Sequence, residues 1–392
     1  MRVALLSVLD SQAEPRGVPA PFRMLAGARL VERQLDLALA AGCETIACLA
    51  NTVGREVMDL QHRAEAAGAR FIAIREPRKL SGLVSASDEL LVLAPGVLPD
   101  EDAVLRHLAK PCVLVFPEDP AIARGYERID AHFAWAGALL ARGNAVEQLA
   151  QLPGDVDTPS ALLRIALQSG VKTHPLETRL IDEHVWLRDP SAEELAARER
   201  SWVTGHADVA PFTAPGLAIA ERMGVKLARD TMGGNLPRLL ALGSALSGLI
   251  GLSLGIAGWT LPGFGFVALA ALLFAMEEVV RRVANAGQVR PRVPALVQAI
   301  TILFDPLLLV LIALASPEDT EWLRLFVPAM LFGLLHLGER LSMARWRKTY
   351  SDRLMLILLL LPAVFFGVVQ PVAAVIALAV LITLFLISEP RD

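Results

Sequence analysis

The sequence predicts an α/β domain on a mainly parallel sheet, followed by an all-α polytopic membrane domain of six transmembrane helices. Three observations carry this. Short apolar runs alternate with helical segments over the first half of the chain, the pattern of a parallel sheet covered on both faces. From residue 239 onward, long Leu/Ala/Val/Ile runs reach the ~20 residues that a spanning helix needs. The polar links between those runs alternate between basic and acidic.

Along the first half, residues 2–9 (RVALLSVL) read as a buried strand, and the Pro-rich loop 10–23 follows. ARLVERQLDLALAAG has helical periodicity and ends at Gly42, a C-cap. ETIACLA is the second strand, REVMDLQHRAEAAG the second helix, and ARFIAIR, DELLVLAPG and KPCVLVFPE the next three strands. ALLARGNAVEQLAQL reads as a helix. The N-terminal apolar run is too short for a signal peptide with its cleavage site, so the domain is expected in the cytoplasm. Three cysteines (Cys43, Cys48, Cys112) without ligand spacing read as reduced, buried thiols.

Ligands of such sheets lie beyond the carboxyl ends of the strands, which directs attention to 10–23, 50–55 and 94–102. Arg16 and Arg23 are the cofactor-binding candidates, as cations able to meet a phosphate, although no glycine-rich phosphate loop accompanies them. Asp130 and His132 could share a strand face as an acid–base pair, or belong to a core corner beside Trp135. Asp155 and Asp157 precede a helix as caps or divalent-ion ligands. The domain boundaries are 1–186 for the α/β domain, 187–238 for an amphipathic helical junction and 239–388 for the membrane domain.

The six spans fall at 239–259, 261–280, 294–315, 323–339, 353–370 and 371–388, the last two joined at Gln370–Pro371 or fused into one bent helix. Arg281, Arg282, Arg290 and Arg292 follow the second span, and Arg340 to Arg353 follow the fourth, whereas the third is followed by SPEDTEW. Basic loops stay in the cytoplasm, so the expectation is a multi-pass inner-membrane protein with its N-terminal domain and C-terminus on that side. At 54% the hydrophobic fraction exceeds the roughly 45–50% of soluble proteins. The net charge of −4 averages two unlike halves, and no nucleic-acid partner is expected.

Charges at membrane depth usually face a cavity or a partner. Glu277, Glu278, Arg282 and Asp305 are the catalytic candidates. Glu277 and Glu278 can also pair at i,i+4 with Arg281 and Arg282 and serve only as interfacial anchors. Asp305 precedes Pro306 and could pair with His336, which could equally bond Glu339.

In layout the first domain resembles the nucleotidyltransferases that activate sugar or polyol phosphates, and the second resembles the CDP-alcohol phosphotransferases. A fusion of the two is similar to the bifunctional inositol-phosphate cytidylyltransferase/di-inositol-phosphate-phosphate synthase type. Arg16 stands near that family's loop arginine, Pro21-Phe22-Arg23 at its Pro-Lys, and Gly27-Ala28-Arg29-Leu30-Val31 at its G-x-P-L-I step. Ala94-Pro95-Gly96 stands where the family has a metal-binding aspartate. In the phosphotransferase motif D-x2-D-G-x2-A-R-x8-G-x3-D-x3-D, Arg282 matches the arginine. Phe274 and Glu277 then take the first two aspartate places, Glu278 the glycine place, and 293–299 hold no acid.

The resemblance implies a transferase using Mg2+ or Mn2+ with CTP or a CDP-alcohol if active. The departures imply a non-catalytic or divergent protein of lipid or polyol-phosphate metabolism, with no bound metal or cofactor. Its partners would be membrane lipid and a membrane protein or a second copy. The alternatives are an active transferase with rearranged ligands (Glu277, Glu278, Asp305) and a small transporter using Asp305 and His336.

Overall fold

A computed structural model describes residues 1–9, 18–153, 156–205, 210–230, 235–286, 293–317 and 321–387. They fall into two compact units, Met1–Trp202 with Asn285–Pro291, and Val203–Ala284 with Arg292–Asp392.

The first unit is built on strands β1 (Arg2–Ser7), β2 (Thr45–Leu49), β3 (Arg70–Ile74), β4 (Glu89–Leu93), β5 (Cys112–Pro117), β6 (Phe133–Arg142) and β7 (Thr173–Pro175). Their order across the sheet is β7-β5-β6-β4-β1-β2-β3. Strand β1 lies parallel between β2 and β4, Val3 opposite Thr45 on one side and Leu90 on the other. A strand paired on both edges and covered on both faces needs apolar side chains in both directions, which is why Val3 to Leu6 are all buried. Helices α1 (Leu30–Ala40), α2 (Arg55–Ala66), α3 (Glu101–His107) and α4 (Thr158–Gln168) belong to the same unit. Asp157 caps α4 by accepting from the Ser160 N–H at 3.2 Å, and Asp155 lies outside the described residues.

Strand β6 corrects the helical reading of ALLAR. It runs antiparallel to β4 and β5, and the helix starts only at Asn144. An apolar run buried on both faces has neither helical nor strand periodicity, so its neighbours in the sheet decide. The register shifts between Trp135 and Leu139, at Gly137 with φ +88°. A Cβ there would stand 2.6 Å from Val97, so only glycine fits this bulge. Asp130 lies in the turn before β6, its carboxylate accepting from the N–H groups of His132 (2.8 Å) and Phe133 (2.9 Å). That is an Asx turn and not a face shared with His132.

The last helix of this region is α5 (Ala192–Gly205). The second unit holds α6 (Pro215–Asp230), α7 (Leu236–Ile256), α8 (Thr260–Asn285), α9 (Ala295–Ala315), α10 (Glu321–Leu341), α11 (Ala344–Ser351), α12 (Arg353–Phe365) and α13 (Val369–Ile387). Among the described residues, five helices are long and apolar enough to cross a membrane: α7, α8, α9, α10 and α13. This corrects the expected six. Helix α12 has 13 residues, about 20 Å of axis against a hydrocarbon core of about 30 Å. It stops early because Gly367 takes the left-handed conformation (φ +71°) just past its end, a helix terminator. The break is therefore at 366–368, and Pro371 sits in the first turn of α13, where a missing N–H costs little.

Helix α12 also begins inside the bundle. Its first residue, Arg353, bonds Asp305, which lies ten residues past the start of α9, or about 15 Å along that axis. The Tyr350–Thr383 hydrogen bond (3.1 Å) brings the end of α13 back to the level where α12 starts, so α12 and α13 form a hairpin. Helices α7 and α8 approach closely through glycine. A Cβ on Gly251 would stand 2.7 Å from the Gly263 carbonyl, and one on Gly263 2.8 Å from the Gly251 carbonyl. Small residues at such crossings are how apolar helices pack without help from water.

Candidate functional site

One end of the second unit encloses a cavity of about 410 Å³. Its wall is drawn from six helices. Helix α6 contributes Glu221, α8 Glu278 and Arg282, α9 Asp305, α10 His336 and Glu339, α11 Lys348 and α12 Arg353, with Ala271, Phe274 and Phe304 as apolar lining. These residues cluster because the helices alternate in direction: the end of α8, the end of α10 and the starts of α11 and α12 share one end of the bundle.

Asp305, Arg353 and Glu339 form the tightest group. Arg353 Nε and Nη2 donate to the two Asp305 oxygens, both at 2.7 Å, a planar bidentate pair. The same Nη2 reaches Glu339 Oε1 at 2.9 Å, and Nη1 donates to the Tyr350 carbonyl at 2.5 Å. His336 Nε2 stands 3.6 Å from Asp305 Oδ2, and its Nδ1 lies 3.0 Å from the Phe332 carbonyl. The Phe332 ring lies under the guanidinium, 5.9 Å from its centroid. Arg353 and Asp305 are only 14% and 16% exposed, so this pair is largely withdrawn from water.

The other candidates divide. Glu278 lines the cavity, exposed, and has no ion pair among the described residues. Arg282 lines it too, but its partner is Glu221 of α6, at 3.3–3.4 Å, and not Glu278. Glu277 is fully buried beside the cavity, with one oxygen on Arg281 Nε at 3.0 Å, the i,i+4 pair expected for it. The cavity thus unites Glu278, Arg282 and Asp305 and leaves Glu277 in the packing behind them. Arg353 passed in the sequence as one more charge in a basic loop. Its role was legible only in the option that Asp305 has a partner at membrane depth. Lys348 likewise counted only as one of the charges of that basic loop, and Glu221 carried no signal at all.

Whether these residues suit the divalent ion that the resemblance implies is decided by their donors. Asp305 has both oxygens on one guanidinium, and Glu339, Glu277 and Glu221 each face an arginine. Among the described residues no group of three or more His, Cys, Asp or Glu converges as ligands. The donor set does not fit that ion.

In the first unit, Arg16 lies outside the described residues. Arg23 donates to the carbonyls of Val18 (3.4 Å), Asp189 (3.3 Å) and Pro190 (2.7 Å), tying the first loop to the end of the unit. Ala94 and Gly96 form the turn after β4, and Gln34 of α1 donates to the carbonyls of Ala94 (2.8 Å) and Val97 (2.6 Å). Burial pushes the thiols of Cys43 and Cys48 up to about 12, as unreactive core groups.

No family model matches the chain, and no curated protein does. Among solved structures it is similar to a Bacillus anthracis protein assigned as a glucose-1-phosphate thymidylyltransferase, at 11% identity and a TM-score of 0.35, covering 45% of this chain and 86% of that one. It is also similar to the UDP-glucose pyrophosphorylase of Acinetobacter baumanii, at 12% identity and a TM-score of 0.37, covering 53% of this chain and 94% of that one.

Proposed function

We propose that this chain is a divergent membrane protein of lipid or polyol-phosphate metabolism. It has the plan of a nucleotidyltransferase joined to a CDP-alcohol phosphotransferase, and binds the polar head of its ligand in the cavity of the membrane unit without the family's metal chemistry. The observation that carries this is the lining: cations and carboxylates from six helices around one cavity, with Arg353 shared between Asp305 and Glu339. Lys348 and Arg282 are the cations available to exchange partners with a phosphate, and the apolar lining suits the neighbouring carbons. The proposed sidedness puts the cavity end and both termini in the cytoplasm. The basic loops support it, as does the α12–α13 hairpin, which returns the chain to that end.

The test is calorimetric titration of CTP, CDP-alcohols and polyol phosphates into the full-length protein in detergent, with Mg2+ and with EDTA. A phosphate-bearing ligand is expected to bind equally in both, with no nucleotide released. Metal-dependent binding with turnover would replace this reading with a second one, an active transferase using Glu277, Glu278 and Asp305. That reading draws support from the four carboxylates lining one cavity (Glu221, Glu278, Asp305, Glu339). Metal-dependent turnover that persisted in a Glu277→Gln/Asp305→Asn variant would in turn sink it.

A further inference from the structure

Helix α6 is packed on one side and leaves a second, apolar side exposed. Gly216, Ala220, Gly224 and Ala228 recur every fourth residue and are buried. Their contacts explain why they are small: a Cβ on Gly216 would stand 2.2 Å from Asp352 Oδ1, and one on Gly224 2.9 Å from Val279 Cβ. These contacts are about 12 Å apart along α6 and fall on different helices, at the start of α12 and on α8. So α6 runs across the bundle and not along either neighbour. Its level can be read from α8. Trp259, exposed just before the first residue of that helix, marks one membrane interface. Val279 lies about 28 Å further along the axis, against a hydrocarbon core of about 30 Å. Helix α6 therefore crosses α8 at the opposite edge of the core.

The side turned away from the bundle carries Ile219 and Met223, each 45% exposed, and Phe212 is fully exposed three residues before the helix. That ring sits on a tethered turn, since its neighbour Thr213 accepts a hydrogen bond from Thr349 at 2.7 Å. At 100° per residue, Met223 and Ile219 adjoin the packed face, and Lys226 and Arg222, both exposed, come beyond them. Among the described side chains of α6 no exposed one is acidic. We propose that this face, with Phe212, is a membrane-surface contact. The apolar residues enter the acyl chains beside the bundle, and Arg222 and Lys226 bind the phosphates of anionic lipid headgroups. Two observations select lipid as the occupant: the helix lies at the edge of the core that its own bundle spans, and its exposed charges are all basic. The contact is separate from the cavity and does not rest on the reading of the cavity as a ligand site.

The experiment is nitroxide labelling of the full chain in lipid nanodiscs, on a Cys112→Ser background because Cys43 and Cys48 are buried. Labels go in turn at Phe212→Cys, Ile219→Cys, Met223→Cys and, as the reference, Arg222→Cys. Power-saturation electron paramagnetic resonance then compares collision with oxygen, which concentrates in acyl chains, and with a water-soluble nickel chelate. The oxygen-to-nickel ratio is expected to be at least about threefold higher at 212, 219 and 223 than at 222. Replacing phosphatidylcholine by an equal mixture with phosphatidylglycerol should raise the ratio at 219 further. Arg222→Gln/Lys226→Gln should abolish that response while the bundle stays folded, since both side chains are exposed.

Labels at 219 and 223 as open to nickel as the one at 222 would put this face in water and overturn the proposal. Labels shielded from both reagents would overturn it too, by showing that protein covers the face, from this chain or a second copy. A ratio that does not respond to phosphatidylglycerol would overturn the assignment of the two cations to headgroups. No readout involves the phosphate ligand, so failure here leaves the reading of the cavity standing.

Discussion

Asp36 shows at the scale of one residue how burial and pairing compete. It lies on α1, nearly inaccessible, with Arg63 of α2 on both oxygens at 3.1 and 2.6 Å. Loss of water pushes its carboxyl up to about 6 despite the pull of Arg63. Its folded value lies above its ordinary one. The stability it contributes is therefore complete below about pH 4 and lost as pH rises through about 6, a difference of about 3 kcal/mol. Asp36→Asn should remove that slope: measured by unfolding at a series of pH values, wild type should lose stability relative to the variant between pH 4 and 7. Parallel curves for the two proteins would show that Arg63 holds the carboxylate charged throughout.

Asp352 acts at the scale of elements. One oxygen accepts from the Met355 N–H at 2.9 Å and caps α12; the other accepts from Gly216 (2.8 Å) and Leu217 (3.1 Å) at the start of α6. A single buried carboxylate therefore satisfies orphan donors of two helices, one of which roofs the cavity. Gly216 is needed there, since a Cβ would stand 2.2 Å from Asp352 Oδ1. Asp352→Ala should cost about 2–3 kcal/mol, the sum of two lost caps. It should also expose the start of α6, so that limited proteolysis between 210 and 217 accelerates while the first unit melts unchanged. Unaltered cleavage there would mean that the packing of α6 on α8, where Gly224 meets Val279, holds it alone.

At the scale of the whole molecule, the arrangement of the spans yields a topology that can be measured. Helix α12 starts inside the bundle, and the Tyr350–Thr383 hydrogen bond brings the last turns of α13 back to that level. Trp259 and Trp322, 67% and 65% exposed, mark the loops at the opposite end, where indole rings favour the membrane interface. Reporter fusions after residue 387 and at the N-terminus should both report the cytoplasmic side, and one in the 316–321 loop the other side. A C-terminal reporter on the outer side would mean that α12 and α13 do not act as a hairpin in the membrane.

Much of this was legible in the sequence, for physical reasons. Strands β1 to β5 are short apolar runs bounded by glycine, proline and charge, and their length and flanks favour a strand over a buried helix. The first four spans and their charge alternation follow from the length of a bilayer and the cost of moving arginine across it. Asp305 stood out because a carboxylate among apolar residues must find a partner. What remained open were choices in which local composition is neutral. The run before Arg142 became a strand because β4 and β5 offered both edges. Helix α12 stopped after 13 residues because Gly367 took a left-handed turn within a run that otherwise reads as apolar throughout. The partner of Arg282 proved to be Glu221, 61 residues away, and not Glu278 one turn earlier. The sequence by itself determined that there is a sheet domain, a membrane domain and a charge at depth. Only the tertiary structure decided which guanidinium meets which carboxylate, because long side chains from different helices choose partners by proximity in space, and spacing along the chain does not encode it.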